Sequence, residues 1–273
     1  MAAPPPPAAA PPPGGAPEPP AGAIYHKHFI PLESNPELFT DLIHKLGVSP
    51  TLAFHDVLSL TEPSLLALIP RPAHALVLVF PTSETYEARA EAEDALLPEY
   101  DSRPAGERRK VTWFPQTIYN ACGLYAILHA VCNGPAKAQV RPGSHLAGML
   151  GAGGDGAAAG AMSSVDRATA LEGDARLESL YMDVAVQGDS AVPEDPEGEV
   201  DFHYVCFVRS DVDGHLYEMD GDRKGPLDRG PLEGVDILSG RALQVIQEFI
   251  KSEEGDNVGF SLMALAPAEE EQE

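Results

Sequence analysis

The chain has 273 residues, 18 basic and 42 acidic side chains and a formal net charge of −24. That length allows one large domain or two small ones, with a full hydrophobic core. An acidic excess of this size excludes a nucleic-acid binder, which needs basic surface to displace counterions, while it would steer a basic partner towards the protein.

Three cysteines, Cys122, Cys132 and Cys206, are too few and too odd in number for a disulfide scaffold, and no Cys-x-x-Cys pair suggests zinc. A reducing compartment fits. The longest strongly apolar run, ALVLVF at residues 75–80, is far too short to span a membrane. The N-terminal tail lacks the basic and apolar regions of a signal or transit peptide. The expectation is a soluble monomer of the cytoplasm or nucleus, bound to neither membrane nor nucleic acid.

In chain order, residues 1–22 are mostly Pro, Ala and Gly and read as a disordered, partly polyproline tail. A folded domain is expected over 23–267 and an acidic tail over 268–273. SNPELFTDLIHKLG predicts a helix capped by Asn35, begun by Pro36 and ended by Gly47. Leu38, Phe39, Leu42, Ile43 and Leu46 form its apolar face. A short helical stretch over 63–68, a buried strand over 75–80 and a charged helix over 84–96 capped by Ser83 follow. Residues 98–110 are turn-rich and connect.

In QTIYNACGLYAILHAVCNG, Leu124, Ile127, Leu128 and Val131 repeat at helical spacing, which marks a buried helix from near Ala121 to near Gly134. Residues 144–200 are poorly patterned, and GAGGDGAAAG is too rich in glycine for a helix. They read as a long insertion, functional or disordered. DFHYVCFVRSDVDGHLYEMDG predicts a hairpin turning at Asp213-Gly214. His203, Val205 and Phe207 share one face of its first strand, and Tyr204, Cys206 and Val208 the other. A helix over 235–251 and a strand over 258–265 complete one α+β domain without repeats.

Amide hydrolysis at neutral pH needs a nucleophile, a base, a group to orient the base, and donors for the oxyanion. Cys122 falls in the first turn of a buried helix, where unpaired N–H groups and the helix dipole favour an anion. Gly123 would let a substrate backbone approach. Gln116, six residues before Cys122, could form an oxyanion hole with the Cys122 backbone N–H. A lone cysteine at a helix start is more often structural than catalytic, so the signal lies in the combination of Gln, Cys and Gly.

Cys132 and Cys206 read as packing residues. Among nine histidines, His203 is the best base: an imidazole on an apolar strand face costs free energy unless it has a partner. Asp220, at the far end of the same hairpin, could supply it. A hairpin His–Asp pair is as often a surface pair as a site, and that alternative stays open on spacing alone. His129 lies two turns along the Cys122 helix and points elsewhere.

These segments resemble the ubiquitin C-terminal hydrolases over residues 29–265. PLESNPELFTDLIHKLGV is similar to the family's opening segment and LIPRPAHALVLVFP to its early strand. QTIYNACG resembles its nucleophile motif, and VDFHYVCFV with VDGHLYEMDGDRKGPLDRG its second catalytic motif. The resemblance implies a papain-like α+β fold, an antiparallel sheet flanked by helices with a knotted backbone. It implies Cys122 as nucleophile, His203 as general base and proton donor, Asp220 as the acid that orients His203, and Gln116 in the oxyanion hole. No cofactor or metal is called for.

A crossover loop over 144–165 would straddle the site and admit small adducts and disordered tails more readily than folded proteins. The implied substrate is ubiquitin, whose basic C-terminal tail suits an acidic surface. Two alternatives are the related modifier of the neddylation pathway as substrate and a catalytically inactive ubiquitin-binding module. The intact set of Gln116, Cys122, His203 and Asp220 argues against the second.

Three features depart from the family. Tyr119 stands where a small residue is usual, which would narrow the approach to Cys122. The hairpin is two residues longer, an even insertion that keeps the facing of His203 and Asp220. Residues 150–162 are unusually rich in Gly and Ala, though SSVDRA still resembles the family's loop motif.

Overall fold

The computed structural model describes residues 25, 27–150, 162–188, 202–253 and 259–269. The Pro/Ala tail, the end of the acidic tail and the GAGGDGAAAG segment lie outside those residues.

Six strands pair antiparallel in the order β2-β8-β3-β5-β6-β7. They are β2 (Leu52–Asp56), β3 (Ala75–Pro81), β5 (Phe202–Arg209), β6 (His215–Met219), β7 (Leu227–Pro231) and β8 (Ser261–Pro267). A separate parallel pair joins β1 (Lys27–His28) to β4 (Ile118–Tyr119). The helices are α1 (Pro36–Leu46), α2 (Pro63–Leu66), α3 (Glu84–Asp94), α4 (Ala105–Arg108), α5 (Cys122–Val131), α6 (His145–Met149), α7 (Ser164–Glu172), α8 (Ala175–Ala185) and α9 (Gly240–Ser252).

Alternation along the central strands makes two cores. Val77, Val79, Cys206, Val208 and Met263 enter one shared with α1, α5 and α8. Leu76, Leu78, Phe80, Val205, Phe207 and Leu262 enter the other, with α9 and Tyr86 of α3. Because helices cover both faces, β3 reads as an unbroken apolar run rather than an alternating one.

Local signals hold where they were strong. Asn35 accepts from the Glu37 N–H, Pro36 opens α1, and Gly47 closes it at φ 106°, a conformation glycine adopts at little cost. The Ser83 side chain caps α3 through Tyr86 N–H. The last helix begins later than expected, at Gly240 rather than 235. Residues just before it are bound elsewhere: Ile237 N–H donates to Ala73 O at 3.0 Å, and Asp236 accepts from Ala73 N–H.

The expectation of an unpatterned stretch over 144–200 is corrected for its described parts, which contain α6, α7 and α8. Ser144, Ser163 and Asp174 each cap the helix that follows. Leu177, Tyr181 and Val184 supply a buried stripe on α8.

Candidate active site

β4 delivers the chain to α5, and Asn120 turns it with φ 58°. Cys122 is thereby set at the first position of the helix, half-buried, whereas Cys132 and Cys206 are fully buried. Burial pushes the Cys132 thiol up to about 12 and raises that of Cys206 as well, so neither is suited to ionise. Gly123 does not face the cleft. It is buried, and a Cβ there would lie 3.3 Å from Leu32 Cβ and 3.8 Å from the Tyr204 ring. Its smallness serves packing of the N-terminal segment rather than the approach of a substrate.

His203 and Asp220 come from the hairpin. β5 and β6 pair Cys206 with Met219 and Phe207 with Glu218. Extending that register by one pair sets Asp220 opposite Val205, on the face that carries His203. His203 Nε2 lies 2.9 Å from Asp220 Oδ2, and both residues are buried. The Cys122 thiol is among the groups that act on the same imidazole and raise its pKa.

Burial by itself would lower the His203 pKa, but the Asp220 charge and its hydrogen bond outweigh burial and hold the imidazole well above its usual range. Burial would raise Asp220. The charge of His203 and the donors around the carboxylate reverse that and keep it below the ordinary carboxylate range.

Asp220 is gripped by more than His203. Its Oδ1 accepts from Asp222 N–H at 2.9 Å, and its Oδ2 also accepts from the Tyr86 hydroxyl. Its backbone carbonyl receives Trp113 Nε1 at 2.9 Å. Asp222 adds a second carboxylate, Oδ2 to His203 Nδ1 at 3.8 Å. Partial burial, reinforced by Asp220, raises its pKa.

Residues 113–117 run between the hairpin and α5. Phe114 N–H donates to His129 Nε2 at 3.0 Å, Gln116 N–H to Gly221 O at 2.8 Å, and Thr117 N–H to Tyr125 Oη at 3.1 Å. The segment that carries Gln116 is therefore fastened both to α5 and to the loop that follows Asp220. The Gln116 side-chain oxygen is buried without a hydrogen-bond partner among the described residues. The fully buried His129 is a structural acceptor. Tyr119 packs against Tyr25 and His28, with ring centroids 5.2 and 5.3 Å away.

Sequence reasoning placed Cys122, His203 and Asp220, which the structure brings together, and Gln116 beside the loop of Asp220. It did not find Tyr86, Trp113, Gly221 or Asp222. Among these only Gly221 and Asp222 adjoin a residue already singled out.

Among the described residues two groups carry metal-ligand atoms within 4.8 Å of one another: His203, Asp220 and Asp222, and the more exposed Asp213, His215 and Asp228. The first is the site itself, its imidazole already engaged by Cys122 and Asp220. The second is satisfied internally by the His215–Asp228 and Lys110–Asp213 ion pairs.

A half-buried thiol at a helix start, acting on a buried imidazole that a buried carboxylate holds, defines a cysteine-type hydrolase of papain-like design. Residues 29–251 match the family described as "Ubiquitin carboxyl-terminal hydrolase, family 1", and the chain belongs to that family. It is 33% identical over 245 residues to ubiquitin carboxyl-terminal hydrolase YUH1 of Saccharomyces cerevisiae, covering 87% of this chain and 95% of the yeast protein. It is 35% identical over 238 residues to the human isozyme L1, covering 87% and 98% respectively. In structure it is similar to the Trichinella spiralis UCH37 catalytic domain bound to ubiquitin vinyl methyl ester. There the TM-score is 0.66 and the identity 25%, over 91% of this chain and 100% of the other.

Proposed function

We propose that the protein cleaves groups from the C-terminal glycine of ubiquitin through a thioester on Cys122. The carrying observation is the buried imidazole of His203, held by Asp220 at 2.9 Å and acted on by Cys122 from the start of α5. Cys122 Sγ gives its proton to His203 and attacks the glycine carbonyl carbon. The Cys122 backbone N–H and the Gln116 side-chain amide receive the oxyanion. When the tetrahedral intermediate collapses, the bond to the leaving group breaks and His203 returns the proton to it. A water then loses a proton to His203 and attacks the thioester. The second collapse frees the ubiquitin carboxylate and restores Cys122. Throughout, Asp220 holds the ring orientation and stabilises the imidazolium.

The leaving groups proposed are small adducts and short or unfolded peptides, consistent with a segment spanning 144–165 between two anchored ends. Ser144 caps α6. At the other end, Ser164 donates from both N–H and Oγ to Asp101, at 3.0 and 2.7 Å. The protein is proposed to act as a monomer, with ubiquitin preferred over the neddylation modifier.

The test is turnover of the C-terminal fluorogenic amides of ubiquitin and of the neddylation modifier, side by side, by the parent and Cys122→Ala. Turnover of the ubiquitin amide that disappears in Cys122→Ala is expected. An inactive parent, or turnover that survives the substitution, refutes the reading. Equal rates on the two amides would refute the preference alone, and an isopeptide-linked ubiquitin dimer cut as fast as the amide would refute the size limit.

A further inference from the structure

α3 is a weakly packed helix. Its sequence, ETYEARAEAED, is mostly charged, and Tyr86 is its one buried residue. Its C-terminal end is held by polar contacts: Arg223 reaches Asp94 and Glu93, each at 3.0 Å. At its other end the single side chain sent inward meets the catalytic acid. The Tyr86 hydroxyl donates to Asp220 Oδ2, the same oxygen that accepts from His203 Nε2. The Tyr86 ring also lies 5.7 Å from the imidazole and 4.8 Å from Phe80, and Phe80 meets the imidazole edge-on. Two sides of His203 are thus walled by rings, and Asp220 is fixed by three donors: Tyr86, His203 and the Asp222 amide.

We infer that Tyr86 is a positioning residue of the hydrolysis: its hydroxyl fixes the rotation of the Asp220 carboxylate and takes a share of the charge that would otherwise fall wholly on His203. Without Tyr86 the carboxylate would be held only by the Asp222 amide on Oδ1 and by the imidazole it is meant to orient, and its terminal torsion is broad for aspartate. A donor on Oδ2 removes that freedom and keeps the oxygen aimed at Nε2. Hydrogen bonds to a carboxylate are of the strong, charge-assisted kind. Removing one of three leaves the remaining charge to act more fully on the imidazolium, which then holds its proton to higher pH.

Burial, and then the Asp220 charge, push the Tyr86 phenol well above its ordinary range, so it donates and stays neutral. The other charged groups around the pair are Glu218 and Arg223 beside the phenol, Arg89 over its ring at 5.5 Å, and His129 and Asp222 on the Asp220 side. None of these bonds Oδ2.

The inference rests on the roles proposed above for Cys122, His203 and Asp220, and Tyr86→Phe tests it, since it removes one oxygen and keeps the ring. Two measurements are made on the full chain. The first is the pH dependence of Cys122 alkylation by iodoacetamide, with Cys132 and Cys206 shielded by burial. The second is kcat and KM on the ubiquitin C-terminal amide. In Tyr86→Phe the upper limb of the alkylation profile should move to higher pH by several tenths of a unit. Its kcat should fall roughly 3–30-fold, less than the ~10² of an outright misplacement, with KM within about twofold.

An upper limb that stays in place or moves down overturns the inference, as does an unchanged kcat. A parent enzyme that fails on the ubiquitin amide refutes the proposed function instead, and the alkylation profile still decides the role of Tyr86.

Discussion

Replacing Gly221 with alanine probes how tightly the loop after Asp220 and the segment carrying Gln116 are registered. Gly221 follows Asp220 directly, and its carbonyl accepts from Gln116 N–H at 2.8 Å. An added Cβ would lie 2.9 Å from Gln116 Cβ, 3.1 Å from Gln116 N and 3.3 Å from Phe114 O. Two of those three atoms are backbone, so no flexible side-chain end can swing aside. Ordinary carbon contacts lie near 3.5–4.0 Å, so the two segments must part by about half an ångström or more.

Overpacking of this kind costs about 1–3 kcal/mol of stability. The catalytic cost should be larger, because a displacement approaching 1 Å costs ~10² in rate and loss of one oxyanion donor costs ~10²–10³. We expect Gly221→Ala to remain folded and to lose about 10²-fold in kcat on the ubiquitin C-terminal amide, with little change in KM. The assay is steady-state turnover beside a thermal melt. A folded Gly221→Ala with kcat within threefold of the parent would refute the claim that this contact sets the position of Gln116.

His203→Ala should cost several orders of magnitude in rate, whereas Asp220→Asn should be milder, because Tyr86 and Phe80 still wall the ring. Steady-state kinetics on the two variants measures the gap, and equal losses would show that the walls do not hold His203. Gln116→Ala should lower kcat by roughly 10²–10³ if its amide donates to the oxyanion, and near-full activity would remove it from the mechanism. His129 provides a stability test. Burial lowers its pKa from 6.5 to about 4, so the unfolded chain binds this proton more tightly than the folded one. The stability it permits is complete above about pH 6.5 and is lost as pH falls towards 4, by on the order of 3 kcal/mol in total. Urea midpoints at a series of pH values should fall less steeply over that window in His129→Gln. Parallel slopes for parent and variant would contradict the assignment.

Much of this protein is written locally. α1 could be read residue by residue, because capping, an early proline, a left-handed glycine and a 3.6-residue stripe all act within one helix length. The Cys122 helix and the His203–Asp220 hairpin were legible for the same reason, and their motifs resembled a known family closely enough to suggest the chemistry. α8 carried an equally local signal, the Asp174 cap and the Leu177, Tyr181 and Val184 stripe. It was overlooked because the glycine-rich run before it suggested one structureless insertion. Gly123 was misread for a different reason: spacing shows that a position must be small but not what crowds it, and here the neighbour is Leu32.

The remaining features were settled only by tertiary structure. Tyr86 reaches Asp220 across 134 residues of sequence, and Trp113 reaches its carbonyl across 107. The short strands β1 and β4 exist only because they pair with each other. A hydrogen bond to a buried carboxylate leaves no periodicity around its donor, so a tyrosine in a charged helix looks like any other surface residue. Local physics placed Cys122, His203 and Asp220 on their elements, and only the folding of distant segments onto one another determined what surrounds and orients them.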